Sequence, residues 1–328
     1  MGIRITGIGS YAPDRILTNQ DLEKMVETSD DWITTRTGIK ERRIAKDDET
    51  TSDMGTNAAR KAMEMAGVAP DEIDLIVFAT ITADTRLPSA ACHTQRKLNI
   101  RSSAACFDFQ AACSGTVYGI EIVTAMMKCS RSYKKAILIG CERLSSVTDW
   151  TDRNSCVLFG DGAASFVFEK TKEPGDTLLS SIIKADGAES EILCIPGGGT
   201  QTPITPENYD KKLQFLKMEG NKVFKLAVNA MVNTSNEAID LARLKSSDIN
   251  WLIPHQANMR IINAIGTRLG ISNDRVITNL SKYGNTSAAS IGIALDEAVR
   301  SGKVKKGDLL LLTAFGGGMT WGSSILRW

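Results

Sequence analysis

The fold of this 328-residue chain is decided by the stretch Asp108-Phe109-Gln110-Ala111-Ala112-Cys113-Ser114-Gly115-Thr116-Val117-Tyr118-Gly119. Residues 104–109 predict a short apolar strand, and residues 115–127 predict a helix that is apolar nearly all round and therefore buried. The turn between them holds the thiol of Cys113. At the positive end of a helix dipole, we expect a thiol pKa below its free value of roughly 8.5, which makes a nucleophile. The alternative is a core cysteine, because free cysteines are among the most buried residues.

Two later stretches place polar groups at similar turns. His255, one of only two histidines, follows the apolar strand 251–254, and α/β folds keep their chemistry at the carboxyl ends of strands. Asn285 directly precedes a second helix that begins with small residues.

Two chemistries fit Cys113, His255 and Asn285 together. In thiol hydrolysis the histidine is the base and the asparagine orients it. In thioester condensation a neutral histidine and the asparagine donate hydrogen bonds to an enolate.

Helices and apolar strands alternate along the chain. An amphipathic helix is predicted over residues 51–66. Nearly continuous apolar strands are predicted over 73–80 and 136–140, as expected for a sheet that is covered on both faces. This alternation predicts an α/β protein with mostly parallel sheets.

The sequence also contains an internal repeat. Residues 158–163 are echoed by residues 314–319, and the stretches that carry Cys113 and Asn285 resemble each other. A repeat of this length indicates two copies of one structural unit. We therefore predict two duplicated α/β halves packed in layers. Residues 1–173 form the half with the cysteine, and residues 174–328 form the half with the histidine and the asparagine.

Composition limits the class of protein. The hydrophobic fraction of 42% and the charged fraction of 23% are typical of a soluble globular protein. A net charge of +1 does not favour a nucleic-acid partner. The seven cysteines lack C-x-x-C spacing, which disfavours a zinc site or a disulfide framework and favours the reducing cytoplasm. No apolar run approaches the roughly 18 residues of a membrane span, so no membrane association is expected.

Three motifs together resemble those of the beta-ketoacyl-acyl-carrier-protein synthase III family, the initiating condensing enzymes of bacterial fatty acid synthesis. They are Phe-Gln-Ala-Ala-Cys-Ser-Gly at 109–115, Pro-His-Gln-Ala-Asn at 254–258 and Gly-Asn-Thr-Ser-Ala-Ala-Ser at 284–290. The resemblance covers the whole chain. It implies a thiolase-like fold, a homodimer, and an active site between the two halves. It also implies decarboxylative Claisen condensation of a short acyl-coenzyme A primer with malonyl-acyl carrier protein, through an acyl-Cys113 intermediate and without a metal or redox cofactor.

The resemblance assigns further residues. The oxyanion of the acyl group is expected to rest on the N–H groups of Cys113 and Gly317. An indole and guanidinium groups can stack on adenine and bind phosphates, and the resemblance extends this coenzyme A site to Trp32, Arg36, Arg153, Gly220, Phe224 and Asn258. Leu87 is expected to reach into the acyl pocket of a partner subunit. The acidic carrier protein is expected to contact Gln256, Ala257, Asn258, Met259, Arg260 and Lys225.

Some relatives are disfavoured by the sequence. Elongating synthases use Cys-His-His, but the surroundings of His93 do not match, and thiolases need a second cysteine where this chain has none after Cys194. Condensing enzymes of polyketide or quinolone pathways remain as alternatives, as does a thiol hydrolase of a different class. Many short-chain members carry Phe where this chain has Leu87. We therefore expect acetyl or another short primer, in a pocket with room for branched or medium chains.

Overall fold

The computed structural model describes residues 2–328. The strands are β1 Gly2–Tyr11, β2 Arg15–Thr18, β3 Glu41–Ile44, β4 Leu75–Ala79, β5 Ala105–Phe109, β6 Lys135–Glu142, β7 Gly162–Thr171, β8 Leu178–Ala185, β9 Leu193–Cys194, β10 Lys217–Met218, β11 Trp251–Pro254, β12 Leu309–Gly316 and β13 Thr320–Arg327. The helices are α1 Asn19–Leu22, α2 Asp30–Thr37, α3 Thr51–Ala66, α4 Ala90–Lys97, α5 Gly115–Cys129, α6 Arg153–Cys156, α7 Gly220–Leu241, α8 Met259–Leu269, α9 Leu280–Tyr283 and α10 Ser290–Arg300. Within these residues, no helix is long and apolar enough to cross a membrane.

Two larger sheets share one topology. The first has the order β1-β7-β6-β4-β5, and the second has the order β8-β13-β12-β11. In the first, β4 runs parallel to β5 and β6, while β7 is antiparallel to β6 and β1. In the second, β11 runs parallel to β12, while β13 is antiparallel to β12 and β8. An isolated parallel bridge between Leu252 and Val276 stands where the counterpart of β5 would pair. The duplicated α/β architecture is therefore present.

Strand directions are more evenly divided than the expected mostly parallel sheets. Parallel neighbours require a crossover connection of a dozen or more residues, usually a helix. Only residues 317–319 separate β12 from β13, so these two strands must form an antiparallel hairpin. Strands β6 and β7 pair in the same antiparallel way. Each sheet is thus mixed, with its parallel pairs at the end that carries the site.

The helices complete a layered arrangement. On one outer face, α3 packs on β1 and β7, and on the other outer face α7 packs on β12 and β13. Between the sheets lie α5 and α10. Helix α5 contacts both β6 and β8, and α10 contacts both β7 and β11. The predicted all-round apolar character of α5 follows from this position, since Val117, Ile120 and Val123 are fully buried.

The joint between the halves lies where the first sheet gives way to the second. Strand β7 ends at Thr171 in the first sheet, and β8 begins at Leu178 in the second. The segment between β7 and β8 contacts β1, because Asp176 Oδ1 accepts a hydrogen bond from the backbone N–H of Ile3 at 2.8 Å. A boundary between residues 173 and 174 is compatible with this arrangement and stays a prediction.

Candidate active site

A cavity of about 1550 Å³ opens at the carboxyl ends of β5, β11 and β12. Its lining includes Cys113, His255 and Asn285, although these three residues are far apart in the sequence. Because α/β proteins bind ligands outside the carboxyl ends of their strands, this cavity is the candidate active site. Among residues 2–328, no group of three or more His, Cys, Asp or Glu side chains is arranged to hold a metal ion.

Cys113 lies in a one-turn 3-10 helix, Ala112–Ser114, that leads into α5. The preceding Ala112 has a φ of +44°, a left-handed conformation that L-residues rarely adopt and that is typical of functional turns. Gly316 passes close to this turn, since a Cβ there would stand 2.6 Å from the backbone nitrogen of Cys113. A glycine is therefore required at 316 for the end of β12 to approach the nucleophile.

The pKa of Cys113 differs from the sequence-based expectation. Burial raises the pKa of this thiol to about 12, and the nearby charge of Glu142 acts in the same direction. The hydrogen bond from Ser287 opposes the rise without cancelling it. The expected lowered pKa is therefore wrong, because loss of hydration outweighs the favourable end of the helix. The thiol needs a proton acceptor when it attacks.

His255 follows β11 and is 4% exposed. Its backbone N–H donates to the Thr313 carbonyl at 2.8 Å. The ring Nδ1 lies 2.7 Å from Ser290 Oγ on α10. Since that hydroxyl oxygen also accepts the N–H of Gln256 at 3.3 Å, its own proton is available to Nδ1. We assign the imidazole proton to Nε2 on this basis. Burial lowers the pKa of His255 to about 3, so the ring is neutral near pH 7.

Two backbone hydrogen bonds fix the position of Asn285. Its N–H donates to the Leu158 carbonyl at 2.8 Å, and its carbonyl accepts the N–H of Gly160 at 3.0 Å. The side-chain Oδ1 accepts the N–H of Ser287 at 2.8 Å, which leaves Nδ2 as the group that can donate into the cavity. Asn285 and His255 thus supply two uncharged donors, which is the arrangement that stabilises an enolate or oxyanion in a water-poor site.

Sequence reasoning missed three polar residues that support this site. Ser290 orients the imidazole, Ser287 lowers the pKa of the nearby Cys113 thiol, and Glu142 is fully buried at the end of β6. Ser287 has a φ of +48°. One signal was visible in the sequence, because Glu142 directly follows the apolar run 136–141. Nothing local indicated what it would contact.

Of the residues predicted to bind the nucleotide end of coenzyme A, Trp32 and Arg36 line the cavity, while Arg153 lies outside the lining and contacts Trp32. The guanidinium carbons of Arg36 and Arg153 each lie 4.9 Å from the centroid of the Trp32 ring. Arg153 also donates to the Glu27 carbonyl at 3.0 Å. At this distance Arg153 contacts the indole directly, so an adenine base between them must first displace the guanidinium. The cavity is also lined by Gly220, Phe224 and Asn258, and Asn258 Nδ2 donates to the Arg36 carbonyl at 3.1 Å.

The predicted carrier-binding segment is only partly accessible. Gln256 is 1% exposed, and its amide bonds to the Pro254 carbonyl at 2.6 Å and to the N–H of Asn279 at 3.0 Å. Direct contact of Gln256 with a carrier is inconsistent with this burial, since its amide is used inside the fold. Met259 packs among core residues next to the end of α2. Ala257, Asn258, Arg260 and Lys225 do line the cavity.

The last two predicted residues, Gly317 and Leu87, differ in their relation to the cavity. Gly317 lines it together with Cys113. Leu87 is 87% exposed and is not part of the lining, although its neighbour Arg86 is. A large apolar side chain with this exposure does not fill a pocket of its own chain.

The comparisons with known proteins agree with this geometry. Family models described as 3-oxoacyl-[acyl-carrier-protein (ACP)] synthase III match residues 107–187 and, for the C-terminal part, residues 239–328. A beta-ketoacyl-[acyl-carrier-protein] synthase III of Caldanaerobacter subterraneus subsp. tengcongensis is 49% identical over 99% of this chain and 97% of its own length.

Solved structures give the same result. The crystal structure of 3-oxoacyl-[acyl-carrier-protein] synthase III from Aquifex aeolicus VF5 is 46% identical, with a TM-score of 0.92 over 100% of both chains. The priming beta-ketosynthase from the R1128 polyketide biosynthetic pathway is 35% identical, with a TM-score of 0.91 over 99% of this chain and 96% of its own.

Fold and relatives together define a condensing acyltransferase with a thiolase fold. The chain belongs to the beta-ketoacyl-[acyl-carrier-protein] synthase III family. The fold class, the family and the condensing activity predicted from the three sequence motifs are therefore confirmed.

Replacing Ser290 tests the assigned tautomer of His255. Ser290→Ala removes the hydroxyl next to Nδ1, so the imidazole proton is no longer directed to Nε2. We expect decarboxylation of malonyl-carrier to fall about tenfold, less than the roughly 100-fold loss that follows removal of an oxyanion-hole donor. Release of radioactive carbon dioxide measures this rate. Ser301→Ala, at the far end of α10, is the control. An equal fall in Cys113 acylation would mean that Ser290 is merely structural.

Proposed function

We propose that this enzyme transfers an acyl group in two steps, first to Cys113 and then to a malonyl-derived carbanion on acyl carrier protein. The observation that carries the proposal is the convergence of a thiol and two uncharged donors, His255 and Asn285, on one cavity. The mouth of that cavity presents an indole flanked by two guanidinium groups. Such a mouth suits the adenine and phosphates of coenzyme A.

In the first step, Cys113 attacks the thioester of an acyl-coenzyme A and coenzyme A leaves. Trp32, Arg36 and Arg153 bind the nucleotide end, and the pantetheine arm passes Gly220, Phe224 and Asn258. The oxyanion of the tetrahedral intermediate rests on the N–H groups of Cys113 and Gly317. The close approach of Gly316 to the Cys113 nitrogen supports this assignment, because two N–H groups must lie on one side of the acyl carbon.

In the second step, malonyl-carrier enters and its thioester carbonyl accepts hydrogen bonds from His255 Nε2 and Asn285 Nδ2. Carbon dioxide departs, and the resulting carbanion attacks the acyl-Cys113 thioester. The lowered pKa of His255, about 3, supports this role. A neutral imidazole donates to the enolate without being consumed as an acid. Decarboxylation supplies the driving force, so the reaction needs no metal or redox cofactor.

Cys113→Ala tests the first step against the second. We expect no acyl-enzyme in this variant, because the only group that can form the thioester is gone. Decarboxylation of malonyl-carrier is expected to persist, since the two donors remain. Intact-mass spectrometry after incubation with acetyl-coenzyme A measures acylation, and carbon dioxide release measures the other half-reaction. An acylated Cys113→Ala protein would contradict the assignment.

A thiol hydrolase is the candidate from another class, and two observations disfavour it. In a hydrolase the asparagine orients the histidine, but here Ser290 contacts Nδ1 and the Asn285 side chain bonds the N–H of Ser287. A histidine with a pKa of about 3 is also a poor general base. A condensing role in a polyketide or quinolone pathway stays an alternative. The similarity to the priming beta-ketosynthase of the R1128 polyketide pathway supports this alternative.

Leu87 links primer choice to a homodimer. An apolar side chain that is 87% exposed would be buried against a partner subunit, and the edge strand β5 has backbone groups that can pair with a second copy.

We expect Leu87→Phe to narrow the acyl pocket and to lower kcat/KM for branched and medium-chain primers relative to acetyl-coenzyme A. A panel of acyl-coenzyme A lengths measures this ratio. An unchanged profile would place the pocket limit elsewhere.

Arg260 is the best-placed cation for an acidic carrier protein. It is exposed at the rim of the cavity, with its guanidinium carbon 5.6 Å from the Phe224 ring centroid. Lys225 lies at the same rim. A cytoplasmic location suits such a partner, and the seven free cysteines support it.

Charge reversal at Arg260 tests the docking face. Arg260→Glu is expected to weaken carrier binding and to reduce its salt dependence, because a rim charge acts through long-range attraction. Acylation by acyl-coenzyme A needs no carrier and should be affected far less. Arg268→Glu, on the same helix but outside the cavity, is the matched control. Equal loss of both half-reactions would make Arg260 structural.

A further inference from the structure

Glu142 is a buried carboxyl group that the two steps above do not use. It is 0% exposed. Its oxygens accept hydrogen bonds from the Thr82 hydroxyl at 2.6 Å, the Thr80 hydroxyl at 3.1 Å, the N–H of Ile81 at 3.1 Å and the Ser287 hydroxyl at 3.3 Å. Each of these donors is neutral. Within residues 2–328, the ion pairs do not include Glu142, so its charge lacks a cation. A buried carboxylate without a cation lowers the free energy of unfolding. A hydrophobic or amide side chain at this position would not have this destabilising effect.

Ser287 stands between this carboxyl group and the nucleophile. Its hydroxyl donates to Glu142 Oε1 at 3.3 Å, and it lies close enough to the Cys113 thiol to favour the thiolate form. The serine is 2% exposed, and its N–H is fixed by Asn285 Oδ1. The turns that carry Cys113 and Ser287 pack against each other, and Thr116 Oγ1 donates to the Ala288 carbonyl at 2.6 Å. Ser287 therefore lies between the thiol of Cys113 and the carboxyl group of Glu142, to which it is hydrogen-bonded.

We propose that Ser287 and Glu142 form a proton relay, in which Glu142 accepts the thiol proton of Cys113 through the Ser287 hydroxyl during acylation. The relay rests on the proposed two-step transfer and deepens its first step. A single hydroxyl can receive a proton from one neighbour while it passes its own proton to the other. The geometry provides that pair of neighbours, a thiol on one side and a carboxylate on the other.

The protons and charges of the cycle balance. As the bond between Cys113 sulfur and the acyl carbon forms, the thiol proton passes to Ser287 and the serine proton passes to Glu142. The bond between the acyl carbon and the coenzyme A sulfur then breaks, and coenzyme A leaves as a thiolate. In the condensation step Cys113 is expelled as a thiolate. It recovers its proton from Glu142 through Ser287, and Glu142 becomes a carboxylate again.

The alternative acceptor, His255, is less suitable. Burial raises the pKa of Glu142 to about 7 and lowers the pKa of His255 to about 3. Transfer to His255 would create two new charges in a buried site, an imidazolium and a thiolate, whereas transfer to Glu142 only moves one existing negative charge. The other titratable groups around this region do not supply a cation. They are Cys141, Asp84 and Asp161, together with Arg143, whose guanidinium turns outward to the Lys46 carbonyl.

Glu142→Gln is the first test, because glutamine has nearly the same size but cannot take up the proton. We expect the rate of Cys113 acylation by acetyl-coenzyme A to fall about 100-fold, the lower end for loss of a positioned base. Rapid-quench mass spectrometry measures this rate. Decarboxylation of malonyl-carrier, measured in the Cys113→Ala background, should keep the rate of that parent. A merely structural role would lower both rates, because Ser287 also holds Asn285.

Ser287→Ala is the second test and keeps the backbone N–H that binds Asn285. It should reproduce the same split between acylation and decarboxylation. Asp161→Asn is the matched control, since Asp161 is another fully buried carboxyl that bonds the N–H groups of Ala45 and Ser145 instead of the relay. It should not separate the two half-reactions.

The pH profile gives a third readout. The carboxylate form of Glu142 is the proton acceptor, so wild-type acylation should rise with pH through about 7, and Glu142→Gln should lose this rise. Unchanged acylation in either variant, parallel loss of both half-reactions, or a retained rise in Glu142→Gln would each overturn the relay. Failure of the proposed function itself looks different, because wild-type Cys113 would then not be acylated at all.

Discussion

The close contact between two turns, one from each half of the chain, is the constraint on which the rest of the structure depends. A Cβ on Gly115 would stand 2.9 Å from the Ala288 side chain, and a Cβ on Gly140 would stand 2.8 Å from the Ala288 carbonyl. The hydrogen bond from Thr116 to the same carbonyl closes this contact. Small residues are needed because any larger side chain would force the halves apart. Only with the halves in contact do the thiol and the asparagine share a cavity.

Burial gives the cavity its chemistry. It keeps the imidazole neutral, the thiol protonated and the Glu142 carboxyl close to its titration point. In a low-dielectric site neutral donors act strongly, whereas an unpaired charge is penalised. Condensation through an enolate needs donors and no permanent cation, so these residues suit it. Hydrolysis would instead require the histidine to accept a proton, and burial disfavours the resulting imidazolium.

Local sequence patterns were sufficient for much of the fold. The helix at 51–66 begins and ends as predicted, because Thr50 and Asp53 form a capping box and Gly67 supplies a left-handed cap. Patterns that depend on distant segments were less informative. The hairpin of β12 and β13 made the second sheet mixed, and the antiparallel pairing of β7 with β6 made the first sheet mixed. The inward-facing amide of Gln256, which meets the N–H of Asn279, removed it from the proposed docking face.

The sequence by itself determined the α/β class, the duplication, and the identity of Cys113, His255 and Asn285 as the candidate catalytic residues. These features follow from periodicity, turn residues and short motifs, which are local in the chain. Only the tertiary structure decided the protonation states of the site and the partners Ser290, Ser287 and Glu142. Those depend on desolvation and on contacts across long separations, such as the 145 residues between Glu142 and Ser287. A pKa is set by whatever surrounds the group in space, and the order of residues along the chain does not contain that information directly.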